Sequence, residues 1–212
     1  INDLKSLGYF FANVDVIIES LENNKMNLTY DIEMGEKAKI KKISFIGDKI
    51  FKDNKLRGII VSEEYKFWKF ISGKKFLNQN ILNLDERLLK NFYLNKGYYD
   101  VVINSSFAKL IDEKDSSFEL IYNINANQKY SFNNITLDLP IDFEKENFKD
   151  IINLFSELKG KTYSLYIIEN ILDEIDKIIL DEEYKTLESK VTENTYENKI
   201  DLNFEVTEGK KF

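Results

Sequence analysis

The chain has 212 residues, 43% apolar and 14% aromatic, which is enough to fill a packed core and excludes wholesale disorder. It contains no cysteine and no histidine, which excludes a disulfide framework, a thiol nucleophile and thiolate metal sites. The absence of histidine also removes the side chain best suited to proton transfer near neutral pH. A formal net charge of −7 argues against a nucleic-acid footprint, and no apolar run approaches the ~18 residues of a membrane-spanning helix. The chain opens at Ile1 without a basic-then-apolar leader and is read as an internal or processed piece of something longer.

Gly8-Tyr9-Phe10 opens the first pattern. Ala12, Val14, Val16 and Ile18 share one face of an expected strand, a polar stretch follows at Glu22–Lys25, and Met26–Glu33 alternates as a second strand that stops at Gly35. Ala38, Ile40, Ile43, Phe45 and Ile46 give the next strand, and the slip in alternation between Ile40 and Ile43 predicts a bulge. Asp53 is placed as the N-cap of a helix carrying Leu56, Ile59 and Ile60. Ile81, Leu84, Leu88, Leu89, Phe92 and Tyr93 recur at three- and four-residue spacing up to Gly97, a second helix with Asp85, Glu86, Arg87 and Lys90 turned to water.

The order then repeats. Gly97-Tyr98-Tyr99 leads into a strand from Val101 to Leu110, with Val101, Ile103 and Phe107 expected inward and Val102, Asn104, Ser106, Ala108 and Leu110 outward. A polar stretch at Asp112–Ser117 precedes the alternating run Phe118–Asn125, and Tyr130, Phe132, Ile135, Leu137 and Leu139 form a strand with a similar slip. Pro140 sits in the turn before two helices, the first with Phe148, Ile151, Ile152 and Phe155, the second with Ile167, Ile171, Leu172, Ile175, Ile178 and Ile179. Strands at Leu187–Val191 and Ile200–Thr207, with Glu193–Asn198 expected as the loop between them, close the chain near Gly209. Tyr9 and Tyr98 are 89 positions apart, and Tyr98 and Tyr184 are 86, the length of a small domain strung in tandem. Each unit therefore reads strand–helix–helix–strand–strand. The boundaries are placed at 1–36 (the back half of a unit), 37–127 and 128–212 (two whole units).

This arrangement resembles the POTRA domains of outer-membrane assembly and transport proteins. Ile43-Ser44-Phe45-Ile46-Gly47-Asp48, Phe92-Tyr93-Leu94-Asn95-Lys96-Gly97-Tyr98 and Val206-Thr207-Glu208-Gly209 are similar to the family's strand–turn, helix–Gly–Tyr–strand and unit-closing segments. Phe67-Trp68-Lys69-Phe70, between the two helices of the middle unit, looks like the Trp-containing insert of the third POTRA domain in BamA-type assembly factors, the alphaproteobacterial form in particular. On that match the chain holds the end of domain two and domains three and four. Glu183 and Asn127 depart from the family's glycines.

The resemblance implies an α+β fold in which each unit is a three-stranded mixed sheet covered on one face by two helices. The second strand then lies at the sheet edge, where an extended client strand can pair with it by β-augmentation. The implied role is that of a non-catalytic, periplasmic interaction module of an outer-membrane β-barrel assembly factor. The partners implied are unfolded outer-membrane β-barrel precursors, accessory assembly lipoproteins and a C-terminal membrane β-barrel of the same full-length chain. A dedicated secretion or translocation barrel is the alternative setting. The candidate binding residues are Val102, Ile103, Asn104, Ser106, Ala108 and Leu110, with Phe67, Trp68 and Phe70 as a second contact patch. No catalytic, cofactor-binding or metal residue is assigned. The pair Glu63-Glu64 is read as a chance neighbour pair, and the acidic stretch from Asp173 to Glu183 as a solvated helix face without calcium-loop spacing.

Overall fold

The computed structural model describes residues 2–66, 73–141, 143–181 and 187–208. The elements are α1 (Asn2–Ser6), β1 (Asn13–Leu21), β2 (Lys25–Glu33), β3 (Lys39–Asp48), α2 (Asp53–Arg57), α3 (Gln79–Leu94), β4 (Val102–Asp112), β5 (Ser117–Asn125), β6 (Ser131–Asp138), α4 (Lys149–Leu158), α5 (Leu165–Asp181), β7 (Leu187–Tyr196) and β8 (Lys199–Glu208). They form two compact units, residues 1–90 with 102–125 and residues 91–101 with 126–212. The fold is the expected α+β arrangement: two three-stranded mixed sheets, ordered β3-β5-β4 and β6-β8-β7. In each, the last strand in sequence is central, parallel to the first and antiparallel to the second.

The first unit buries Phe118, Leu120, Tyr122 and Ile124 of the central strand β5, Ile40, Ile43 and Phe45 of β3, and Leu56, Leu82 and Leu89 of the helices, and Phe45 stacks on Tyr122. The ladder slips between Ile40 and Lys42, where the broken alternation predicts a bulge. Asn78 starts α3: its side-chain oxygen accepts from the amides of Asn80 and Ile81, which otherwise lack intrahelical partners. Asp53 is not an N-cap. It lies inside α2, which has Lys52 at the cap position, and its carboxylate pairs with Lys49.

Asp85 departs most from the sequence reading. It is fully buried. Its carboxylate accepts from the amides of Val61 and Ser62 and from the Tyr122 hydroxyl at 2.7 Å, so it ties the segment after α2 to α3 and to the central strand. Burial first, and then the Asp85 charge, push the Tyr122 hydroxyl's pKa up, which keeps it a donor.

The second unit repeats the plan. Ile168, Ile171, Ile175 and Ile179 of α5, with Ile151, Phe155 and Leu158 of α4, cover Ile200, Leu202, Phe204 and Val206 of β8. β6 carries the second anticipated bulge, between Phe132 and Ile135. The stretch Glu193–Asn198 is not a loop: β7 runs to Tyr196, and only Glu197 and Asn198 form the turn. Residues 91–101 pack into this unit. Asn95 accepts from the Ser164 hydroxyl and from the Tyr166 amide, and so caps the start of α5. Tyr99 lies against Tyr130 and Tyr163; burial first, and then Glu193, push its hydroxyl up to about 12.

One junction occurs twice. The Gly97 carbonyl accepts from Tyr130 N at 2.8 Å, and the Gly8 carbonyl accepts from Ala38 N at the same distance. Both glycines have positive φ, +97° at Gly8 and +91° at Gly97. A Cβ would also lie 2.6 Å from the Leu77 carbonyl oxygen at Gly8, and 2.5 Å from Thr162 Cγ2 at Gly97. Glycine is required here by both conformation and space.

The first hairpin lacks the cover the others have. β1 and β2 form a two-stranded antiparallel ribbon, and every residue of β2 is exposed. Leu28, Tyr30 and Ile32 stand three residues apart from Gly35 in the way that Leu120, Tyr122 and Ile124 stand from Asn127, and Leu202, Phe204 and Val206 from Gly209. The two later rows are core; the first is in water. Burying a leucine side chain is worth about 1.5–3 kcal/mol, so the same row contributes very differently in the two settings. Leu120→Ala, at a position with 0% exposure, is expected to destabilise its unit by about 3 kcal/mol. Leu28→Ala, at 52% exposure, is expected to cost under about 1 kcal/mol. Urea unfolding followed at the amides of β3 and β5 checks both.

Candidate strand-binding edge

A three-stranded sheet has two edges, and each presents a row of outward N–H and C=O groups. In the first unit one edge is β4, which among the described residues pairs with β5 alone. Its ladder shifts between Asn104 and Phe107 and again between Leu110 and Asp112. Val102 is 45% exposed, Asn104 is exposed, Ile103 is half-buried and Leu110 is 42% exposed. Val101, just before the strand, is buried. Ser106 and Ala108 continue the strand backbone, while their side chains, like that of Phe107, lie outside the described residues. Phe67, Trp68 and Phe70 lie outside the described residues altogether.

The other edge, β3, is closed. Ala38 donates to the Gly8 carbonyl and accepts from Leu77 N, and the Ile40 carbonyl accepts from Tyr65 N. Ile43 N donates to Glu64 Oε1 at 3.1 Å, the Ile43 carbonyl accepts from the Arg57 guanidinium, and the Phe45 carbonyl accepts from Lys49 Nζ at 2.8 Å. Arg57 and Glu64 pair with each other at 2.6 Å. Burial alone raises the Glu64 pKa, but the Ile43 amide and the Arg57 charge outweigh it, and the carboxyl is held below its ordinary range.

The second unit's edge strand β7 differs in chemistry. Its register with β8 is unbroken, and its exposed residues Glu188, Lys190, Thr192, Asn194 and Thr195 are polar or charged, with Tyr196 exposed at its end. Lys190 pairs across the ladder with Glu205 at 3.0 Å. Charged edges resist pairing with further strands, whereas β4 presents Val102, Leu110 and Ile111. The family resemblance implies that β4 is an edge, but nothing in the sequence pattern shows that β3 is shut. The residues that shut it are Arg57 and Glu64, 14 and 21 positions from the backbone they cap.

Among the described residues no group of three or more acidic side chains is placed to hold a metal ion, and no helix is long and apolar enough to cross a membrane. The second statement does not bear on β-barrels, which cross with strands.

Residues 38–127 match the POTRA family model, described as a surface antigen variable number repeat. The outer membrane protein assembly factor BamA of Buchnera aphidicola is 25% identical over 195 residues, 90% of this chain and 31% of that protein. BamA of Nitratidesulfovibrio vulgaris is 19% identical over 211 residues, 96% of this chain and 26% of that protein. The chain thus spans about a third or less of the curated relatives it matches. Among solved structures, Haemophilus influenzae BamA POTRA3-5 superposes with a TM-score of 0.61 at 15% identity, covering 98% of this chain and 79% of that one. Haemophilus ducreyi BamA lacking POTRA domains 1-3 gives 0.54 at 12% identity, covering 80% and 29%. These structural likenesses are likenesses of fold.

The Glu64 environment has a consequence for pH. Its folded pKa is depressed, so its contribution to stability is fully present above the unfolded value of about 4.3 and is lost as pH falls through the folded value. Glu64→Gln is expected to remove that part of the acid dependence of the first unit and leave stability near pH 7 only modestly lowered. Denaturant midpoints measured from pH 7 down to about 3 check this.

Proposed function

From the premise that residues 38–127 are a POTRA unit, and that the chain shares its tandem fold with the POTRA region of BamA proteins, we propose that it is a non-catalytic interaction module of an outer-membrane β-barrel assembly factor. POTRA regions are the periplasmic parts of outer-membrane proteins, and the chain is periplasmic on that ground. Residues 1–36, 37–127 and 128–212 are taken as the C-terminal half of one unit and two whole units, a division supported by the three matching strand rows.

The observation that carries the mechanism is the unequal treatment of the two edges of the first unit's sheet: β3 is capped and β4 is open. Through β4 the module captures unfolded β-barrel precursors by adding an extended segment as a fourth strand. The pairing uses backbone N–H and C=O groups, which every client has, so it tolerates many client sequences. Val102 and Leu110 add apolar contact at the two ends of the strand. A typical hydrogen bond nets about 1 kcal/mol, and ordering a client segment offsets much of the sum. Such capture is weak and reversible, with a Kd of roughly 0.1–1 mM, which suits handing a client on. The same edge, through Ile103, Asn104, Ala108 and Leu110, docks an accessory assembly lipoprotein, and the chain works beside a membrane β-barrel of its own full-length protein.

Titrating the isotope-labelled chain with extended peptides from outer-membrane β-strands, alongside scrambled controls, tests this reading. Amide shifts concentrated in Val102–Leu110, nearly independent of peptide sequence, are expected. Shifts at residues 67–76 instead move the contact to the insert with Phe67, Trp68 and Phe70. Shifts nowhere contradict client capture.

A further inference from the structure

The two halves of the β3 edge are closed by different means. At Ala38 and Ile40 the partners are backbone groups of Gly8, Leu77 and Tyr65. At Ile43 and Phe45 they are side chains, Glu64, Arg57 and Lys49. A backbone cap is fixed by the fold, whereas a side-chain cap opens by a change of rotamer. The corresponding strand of the second unit makes the contrast clear. At β6, Tyr130 just before the strand and Phe132 within it are closed by backbone groups of Gly97, Tyr163, Lys161 and Gly160. At Ile135 and Leu137, which take the places of Ile43 and Phe45, no side-chain cap occurs among the described residues. The side-chain clip is therefore an addition of the first unit and not a requirement of the fold. A hollow of about 180 Å³ lined by Ile43, Arg57, Ser62, Glu63, Glu64 and Lys66 lies over it, leaving room beside the strand.

We propose that the Arg57–Glu64 pair is a specificity determinant that keeps the β3 edge shut to extended client strands, so that pairing is confined to β4. The inference rests on the reading of this unit as a strand-capturing module. With the clip in place, an arriving strand finds the Ile43 N–H and C=O already bonded, and must displace an ion pair and two charge-assisted hydrogen bonds before it gains its own. With the clip removed, the Ile43 N–H and C=O stand open beside an already formed sheet, while Lys49 still covers the Phe45 carbonyl.

The test uses the full chain and the same outer-membrane strand peptides, with Arg57→Ala and Glu64→Ala compared with the unaltered protein by amide shifts and binding stoichiometry. Far-UV circular dichroism establishes that each variant is folded. If Arg57→Ala is not folded, Glu64→Ala decides, because it removes both the acceptor for Ile43 N and the carboxylate that pairs with Arg57. The expected result is shifts at Val102–Leu110 alone in the unaltered chain. In the variants, a second set of shifts appears at Lys41–Ile46 and the stoichiometry rises from one peptide toward two. Variants that shift only at β4 overturn the inference, as does an unaltered chain that already binds at β3. A chain silent at β4 whose variants respond at β3 supports the clip while removing the proposed client edge.

Discussion

Every backbone N–H and C=O group along a strand needs a partner, and a three-stranded sheet leaves two rows of them unpaired by its own ladder. The structure of the first unit follows from how those rows are handled. The central position goes to β5, whose face is the most apolar, and its two neighbours become edges. One edge is spent on internal closure, with Gly8, Leu77, Tyr65, Glu64, Arg57 and Lys49 all directed at β3. The other is left to water. An unpartnered backbone edge is an aggregation hazard unless it is used or blunted. The two register shifts in β4 blunt it in part, by interrupting the flat, regular ladder that self-pairing favours.

The same constraint explains where the chain is strong. Rows of the form Leu-x-Tyr-x-Ile and Leu-x-Phe-x-Val supply stability only when a parallel strand and two helices lie over them. β5 and β8 have that cover, while β2 shows the same row exposed. The glycines at 8 and 97 belong to this economy of space. Each lets the turn that follows a helix come within hydrogen-bonding distance of the next sheet's first strand, at a point where a side chain would strike a neighbouring residue. Asp85 plays the corresponding part inside the first unit, replacing water for two amides and a tyrosine hydroxyl.

Much of this was legible in the residue pattern. The strand–helix–helix–strand–strand order, the central rows and both β-bulges came from alternation and from the places where alternation slips, because a half-buried strand writes its faces directly into sequence. Position along a helix is less informative about polar residues. Asp85 reads as a solvent-facing residue beside Glu86 and Arg87, yet it is buried, since its burial depends on donors 23 and 24 positions earlier and on Tyr122, 37 positions later. Asp53 was misplaced by one position for a similar reason: its partner is Lys49, not a helix amide. The run at Glu193–Tyr196 looked like a loop because its residues are polar, and polarity is what an outer edge strand facing water has. The edge position of β4 is what the family resemblance implies, but nothing in the sequence points to the closure of β3, because long-range side-chain caps leave no periodic trace.

In the proposed role, β4 reads the backbone of an extended chain and not its side chains. The most direct measurement is an N-methyl scan of a single outer-membrane strand peptide, with affinity for the full chain determined at each position. In a paired strand, alternate amides face the neighbouring edge. Methylating every second amide is expected to abolish binding, while methylating the intervening ones leaves it nearly unchanged. Equal losses at both sets, or losses that follow side-chain identity and ignore amide position, contradict that role.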